Sequence, residues 1–356
     1  MNGTYYQNNQ KINENKTLSG IGAVAYAVLV TFLAVCSVLC LYTDAQNAVL
    51  CFLFPVFLFA GGYFASALLI HARTALFYSC AITSLLCCVI LSCDPLRSAS
   101  VLGIFGVGAA MKYATDKKRF TQSGVIIIAG GIYAISIFYI FCVLCYQKYG
   151  SVSMDSFGRA YESFTNLVLQ SPSETLEKLK LMYTDAEYEE FLNSYSSTVS
   201  LLRETLDQTV YFIPSAFLCI CAIGGFITVQ GVIKHRRMQA LADTVGEFSL
   251  SVVTAILYLI IYFVTIFTAS DSALGITLIT VGAVGGLGLS LFGFYYVWAM
   301  IKAHQKRRTY TVILVVVLFF FTSLAQSVLA LFGAYRTIFL YKKEKDRQKG
   351  NGDPLQ

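Results

Sequence analysis

Lys148–Thr209 reads KYGSVSMDSFGRAYESFTNLVLQSPSETLEKLKLMYTDAEYEEFLNSYSSTVSLLRETLDQT, the one long polar interval between two blocks of nearly unbroken apolar sequence. It carries ten carboxylates (Asp155, Glu162, Glu174, Glu177, Asp185, Glu187, Glu189, Glu190, Glu204, Asp207) against five cations (Lys148, Arg159, Lys178, Lys180, Arg203). Every other sizeable polar segment is basic or neutral. Lys and Arg beside apolar segments stay on the cytoplasmic side of a membrane, and acids carry little orienting weight. The basic connections are therefore expected inside and the acidic interval outside.

The blocks on either side set the class. Of 356 residues, 56% are hydrophobic and only 13% charged, with a mean hydropathy of +0.65, values of a membrane protein rather than a soluble one. The net charge of +6 lies in short runs beside apolar segments, which points to membrane orientation and not to nucleic acid. The polar tail MNGTYYQNNQKINENK leads into an apolar run too long for a signal-peptide core, so that run is expected to stay as the first span.

About 20 apolar residues cross a bilayer core of about 30 Å. Nine segments qualify or nearly so: 18–42, 48–70, 75–93, 99–113, 124–146, 210–233, 250–269, 274–301 and 310–341. The expectation is an all-α polytopic bundle of eight to nine spans with an extracytoplasmic amphipathic helical insertion. Its parts are a cytoplasmic tail 1–17, a membrane block 18–146, the acidic segment 147–209, a second membrane block 210–341 and a basic tail 342–356. Alternate crossings from an inside N-terminus place Lys112–Arg119, Lys234–Glu247 and Lys302–Arg308 in the cytoplasm. Nine spans then put the tail YKKEKDRQKG outside, against the same rule. Either 310–341 re-enters and returns the tail, or a tilted helix leaves its basic end outside.

Within the acidic interval, Phe157, Tyr161, Phe164 and Val168 form a helical stripe. Ser171, Pro172 and Glu174 match a capped helix start, and Thr184 with Glu187 repeats the capping box. Tyr188, Leu192, Tyr195, Val199, Leu202, Leu206 and Val210 recur at spacings of four and three, a heptad seam. The seam packs on its own bundle, pairs two copies through residues 184–210, or receives a partner, with Val199 and Leu202 as docking positions.

Catalytic signatures are missing. No G-x-x-x-x-G-K-[ST] loop and no H-E-x-x-H pattern occurs, and no Asp, Glu, Lys or Arg lies near the middle of a confident span, where ion-coupled carriers place one. No catalytic residue, metal site or cofactor is assigned, and the chain is not expected to be an enzyme. His71, His235 and His304 sit beside cationic loops as interfacial residues. All eleven cysteines fall in or at the edges of apolar segments, not in a disulfide framework. Gln230 and Gln326, the latter beside Ser323 and Ser327, are polar groups within spans that line a cavity or bond across helices, and Asp94 lies at an outer turn before Pro95, where turn chemistry competes. These three are the candidate ligand-binding positions. Ser19, Ala23, Ala27 and Thr31 recur every four residues, and Gly282 with Gly286 makes a GxxxG, spacings that allow close helix approach. Tyr295, Tyr296 and Trp298 ahead of Lys302 form an interfacial belt.

The glycine-rich segment VLGIFGVGAAMKYATDKK, the proline-opened YFIPSAF, and LGLSLFGFYYVWAMIK followed by LALFGAYRTIFLYKKEK resemble the YybS-like family of bacterial multi-pass membrane proteins, a domain of unknown function, over roughly residues 18–345. In the family an acid commonly follows the glycine of the last motif; here Ala334, Tyr335 and Arg336 follow Gly333. Such proteins look like relatives of the substrate-binding membrane components of energy-coupling-factor transporters. The resemblance implies a bacterial cytoplasmic membrane and a small-molecule-binding component served by separate ATPase and coupling subunits, with Ala23, Ala27 and Thr31 as the docking stripe. The alternative is an envelope interaction or scaffold protein acting through its outer helices. Fold analogy alone does not establish either function.

Overall fold

The computed structural model describes residues 20–42, 53–71, 74–117, 122–169, 185–234, 250–269, 272–303, 307–320 and 322–350. The capping box around Pro172, Thr184, His235, His304 and Asp271 lie outside the described residues. Among the described residues there are helices and no strand. In chain order they are α1 (Gly20–Leu39), α2 (Leu53–His71), α3 (Thr74–Ser92), the single turn α4 (Pro95–Ser98), α5 (Leu102–Lys117), α6 (Gln122–Tyr149), α7 (Met154–Leu169), α8 (Asp185–Thr209), α9 (Ile213–Lys234), α10 (Val252–Thr265), α11 (Ala273–Ala303), α12 (Arg307–Phe320) and α13 (Thr322–Gly350).

Proline placement explains several helix starts. Pro55, Pro95 and Pro214 each fall in the first turn of a helix, where the missing N–H would have had no intrahelical acceptor. Before Pro214 the chain tightens into a 3₁₀ turn, Val210–Phe212, and the Ile213 N–H donates to the Val210 carbonyl, which Pro214 has no N–H to serve. At the end of α3, Cys93 takes a left-handed φ of 52°, its N–H bonds Val89 O at 2.9 Å, and its side chain is exposed.

The chain is a multi-pass membrane protein in its helix content. Six helical segments are long and apolar enough to cross: Ile21–Leu39, Leu53–Ile70, Thr74–Ser92, Gln122–Tyr149, the apolar part of the run Tyr188–Ile233, and Ala273–Trp298. The segments expected at 99–113, 250–269 and 310–341 are not among them. The helix in 99–113 is α5, with 16 residues, and that in 250–269 is α10, with 14. At 1.5 Å per residue these give about 24 Å and about 21 Å, short of about 30 Å. The last segment is divided between α12, of 14 residues, and α13, whose 29 residues include the basic tail.

The chain forms two compact units, Ile140–Pro214 and the remainder. In the larger unit, helix directions follow from paired contacts. Cys80 Sγ reaches Ala27 O at 3.4 Å, and one turn on Ser84 Oγ donates to Thr31 Oγ1 at 3.0 Å, so α1 and α3 run parallel. Gly61 faces Ile104 and, one turn on, Gly108 faces the Ala65 backbone, so α2 and α5 are parallel as well. Tyr258 lies on Gly286 and Ile261 on Gly282, which makes α10 antiparallel to α11. Gly293 and Gly333 bring the backbones of α11 and α13 into contact; one turn further along both, Tyr296 meets Arg336, so these two run parallel. Ala255, Tyr258, Leu289, Ala330 and Ala334 form the core beside this crossing.

The smaller unit contains the polar interval with its flanks. Helices α7 and α8 are present where the stripe and the seam predicted them. Tyr161 Oη donates to Leu206 O, tying α7 to α8. Phe141 packs on Phe157 at 5.1 Å between ring centroids, and Lys148 Nζ donates to Ser163 Oγ at 3.1 Å.

Candidate functional site

Asp94 is a helix cap. Its Oδ1 accepts from the N–H groups of Leu96 and Arg97 at 2.9 and 3.2 Å, and Oδ2 pairs with Arg97 Nε at 3.2 Å. Arg97 in turn donates from Nη1 to Leu41 O at 2.9 Å, which ties the turn to the end of α1. The carboxylate that a ligand would need is thus engaged by α4, and Pro95 beside it supplies the start of that helix.

The other two candidate ligand positions lie on separate helices in different surroundings. Gln230, on α9, is half-buried, and Gln326, on α13, is exposed. Neither is joined to Asp94 by a described hydrogen bond. Ala23 is buried, and Ala27 and Thr31 are half-buried; Ala27 O and Thr31 Oγ1 take the contacts from α3 given above, so this part of the stripe serves packing within the chain. On α8, Val199 is half-buried and Leu202 is 45% exposed.

A polar centre that the sequence did not single out lies between α2, α6 and α9. Tyr133 on α6 is fully buried, and its Oη lies 2.9 Å from Thr228 Oγ1 on α9 and 3.4 Å from Phe59 O on α2. Phe59 and Tyr133 rings pack at 4.7 Å. The room is made by glycine: Gly62 faces the Tyr133 hydroxyl, Gly224 faces the Phe59 ring, and Gly130 lies against Gly225 where α6 crosses α9. A side chain at Gly225 would place its Cβ 2.7 Å from both Gly130 N and Ile126 O. The GG pairs at 61–62, 130–131 and 224–225 were the available signal, since paired glycines in apolar helices mark close backbone approach. Chemically the centre is a neutral tyrosine–threonine hydrogen bond shielded from water. It provides specific helix packing, with no nucleophile activated by a neighbouring base.

Arg336 is the second feature. Its guanidinium carbon lies 4.3 Å from the Tyr296 ring centroid and 5.4 Å from that of Phe339. Among the described residues no group of three or more His, Cys, Asp and Glu side chains is gathered as a metal site would need.

Six apolar crossing-length helices and this packing define a helical membrane protein, and comparison adds no relative to it: no protein-family model, curated protein or solved structure matches the chain.

Proposed function

We propose that this chain is a multi-pass protein of a bacterial cytoplasmic membrane that acts by binding rather than catalysis, with the acidic interval as its extracytoplasmic recognition element. The observation that carries this reading is the surface of the smaller unit. On α8 the neighbours Leu201 and Leu202 are 64% and 45% exposed beside the charged Arg203 and Glu204, and on α7 Met154 is 84% and Phe164 44% exposed. A charged helix that keeps adjacent large apolar side chains on its surface has the mixed composition of a recognition surface.

The topology that goes with it uses the short helices as well. With α5, α10, α12 and α13 counted as legs that complete a crossing only together with their flanking residues, beside the six longer ones, the proposed path has ten legs and sets both termini inside. The parallel packing of α11 and α13 supports this arrangement, because it sets the tail YKKEKDRQKG at the same end as Lys302–Arg308. All the basic connections then share one side.

Replacing Leu201 and Leu202 together by Glu tests the function. Photo-crosslinking from position 202 in intact cells is expected to capture one discrete partner or a second copy of the chain, and the double variant to lose it while the membrane bundle keeps its stability. Absence of any discrete crosslinked species in the native chain would refute the reading. A second reading, a small-molecule-binding component served by separate ATPase and coupling subunits, draws on the buried polar centre at Tyr133 and Thr228. Co-purification of a ligand and coupling subunits, both lost in a T228V variant, is its signature.

A further inference from the structure

Arg336 is the cation within the apolar part of α13, and its surroundings leave it incomplete. The rings of Tyr296 and Phe339 offer it a quadrupole rather than a lone pair. Its Nε is buried and has no hydrogen-bond partner, and none of the described ion pairs includes it. A guanidinium is a fork of five N–H donors that stays charged. Within a bilayer such a group is costly unless an acceptor reaches it.

Its depth indicates where the acceptor comes from. The 29 residues of α13 span about 44 Å at 1.5 Å per residue, against about 30 Å of hydrocarbon. The charged end of the helix therefore extends past the core, and Arg336 lies less than two turns before Lys342, where that end begins. Tyr341–Gly350 holds five cations and two acids. Parallel packing sets this end beside the close of α11, from which the chain passes directly into the exposed Arg307 and Arg308.

We propose that this end of α11 and α13 binds the headgroup of an anionic phospholipid. Its phosphate accepts from the terminal Nη groups of the half-buried Arg336 above Tyr296, and Arg307, Arg308 and Lys342 supply longer-range attraction. Phosphate matches the guanidinium geometry two bonds at a time, and a phosphodiester at the edge of the hydrocarbon is the acceptor that a membrane supplies at this depth. The inference does not depend on what the acidic interval binds.

The test uses the full chain reconstituted in nanodiscs of phosphatidylcholine and phosphatidylglycerol in equal amounts. After mild detergent extraction, the lipids retained on the protein are counted by native mass spectrometry. The native chain is expected to retain phosphatidylglycerol preferentially, and R336Q to lose that preference. The variant R336K, which keeps the charge but not the fork, is expected to fall between them and guards against misfolding of R336Q. Neutralising Arg307, Arg308 and Lys342 is expected to weaken retention about fivefold per charge, in a manner that salt removes. Equal retention of the two lipids by the native chain, or undiminished preference in both Arg336 variants, would overturn the proposal.

Discussion

Two glycine-to-alanine changes separate the closeness of the α11–α13 crossing from the general cost of glycine in a helix. At Gly131 on α6, nothing lies within 4 Å of an added Cβ, so alanine meets open space and gains helix propensity, up to about 1 kcal/mol. At Gly333 the same Cβ would lie 3.0 Å from the Leu289 carbonyl carbon and 3.1 Å from Gly293 N, with the Leu289 oxygen nearer still. These are backbone atoms of another helix and cannot rotate away, so α13 itself must retreat. Overpacking of this kind costs about 1–3 kcal/mol, against which the same propensity gain of about 1 kcal/mol is set. G131A is therefore expected to be neutral to stabilised, G333A to be destabilised by up to about 2 kcal/mol, and G333L by more. Reversible unfolding in mixed micelles, followed for each variant under one set of conditions, measures the difference. If G333A proved as stable as G131A, the backbone contact would be wrong, and with it the direction assigned to α13.

Two further outcomes follow from the larger unit. In a double-mutant cycle of Y133F and T228V, the coupling energy is expected at about 0.6–1.7 kcal/mol, the range of interhelical hydrogen bonds in membranes, measured by the same unfolding assay; zero coupling would remove the bond. D94A is expected to cost about 0.5–2 kcal/mol as a lost helix cap. It should also raise hydrogen exchange at Leu96 and Arg97 while leaving ligand binding unaffected, and a ligand-specific loss without that local change would restore Asp94 as a binding residue.

Much of the class was legible because lipid imposes simple rules. Apolar runs long enough to cross a bilayer must be helical, and α1, α2, α3, α6, α9 and α11 coincide to within a few residues with runs that stand out on length alone. The stripe and the seam of the acidic interval located α7 and α8 for a similar reason: the faces of a helix are local. What stayed hidden depends on which helices meet. Nothing in the apolarity of 310–341 separates one tilted span from two helices, because the decisive contact, Gly333 on Gly293, joins positions far apart in sequence. Tyr133 and Thr228 looked like ordinary members of apolar runs, and only the fold sets one hydroxyl against the other. The sequence offers Asp94 two uses, and its neighbours Pro95 and Arg97 decide between them locally: the side chain caps α4. Gln230 and Gln326 stand out in the sequence by polarity alone, which says nothing about the face on which a side chain falls.

The left-handed residue that ends α3 gives the native chain a chemical handle. Of the described cysteines, Cys93 is the exposed one, and the rest are buried or half-buried. A membrane-impermeant maleimide should thus modify this thiol well ahead of the other described ones, without any engineered position. Because α3 runs parallel to α1, the compartment from which Cys93 reacts is the one that the end of α1 faces, and the opposite compartment holds the start of α1. One labelling reaction on unmodified protein, with the modified thiol located by peptide mapping, therefore orients the helices of the larger unit.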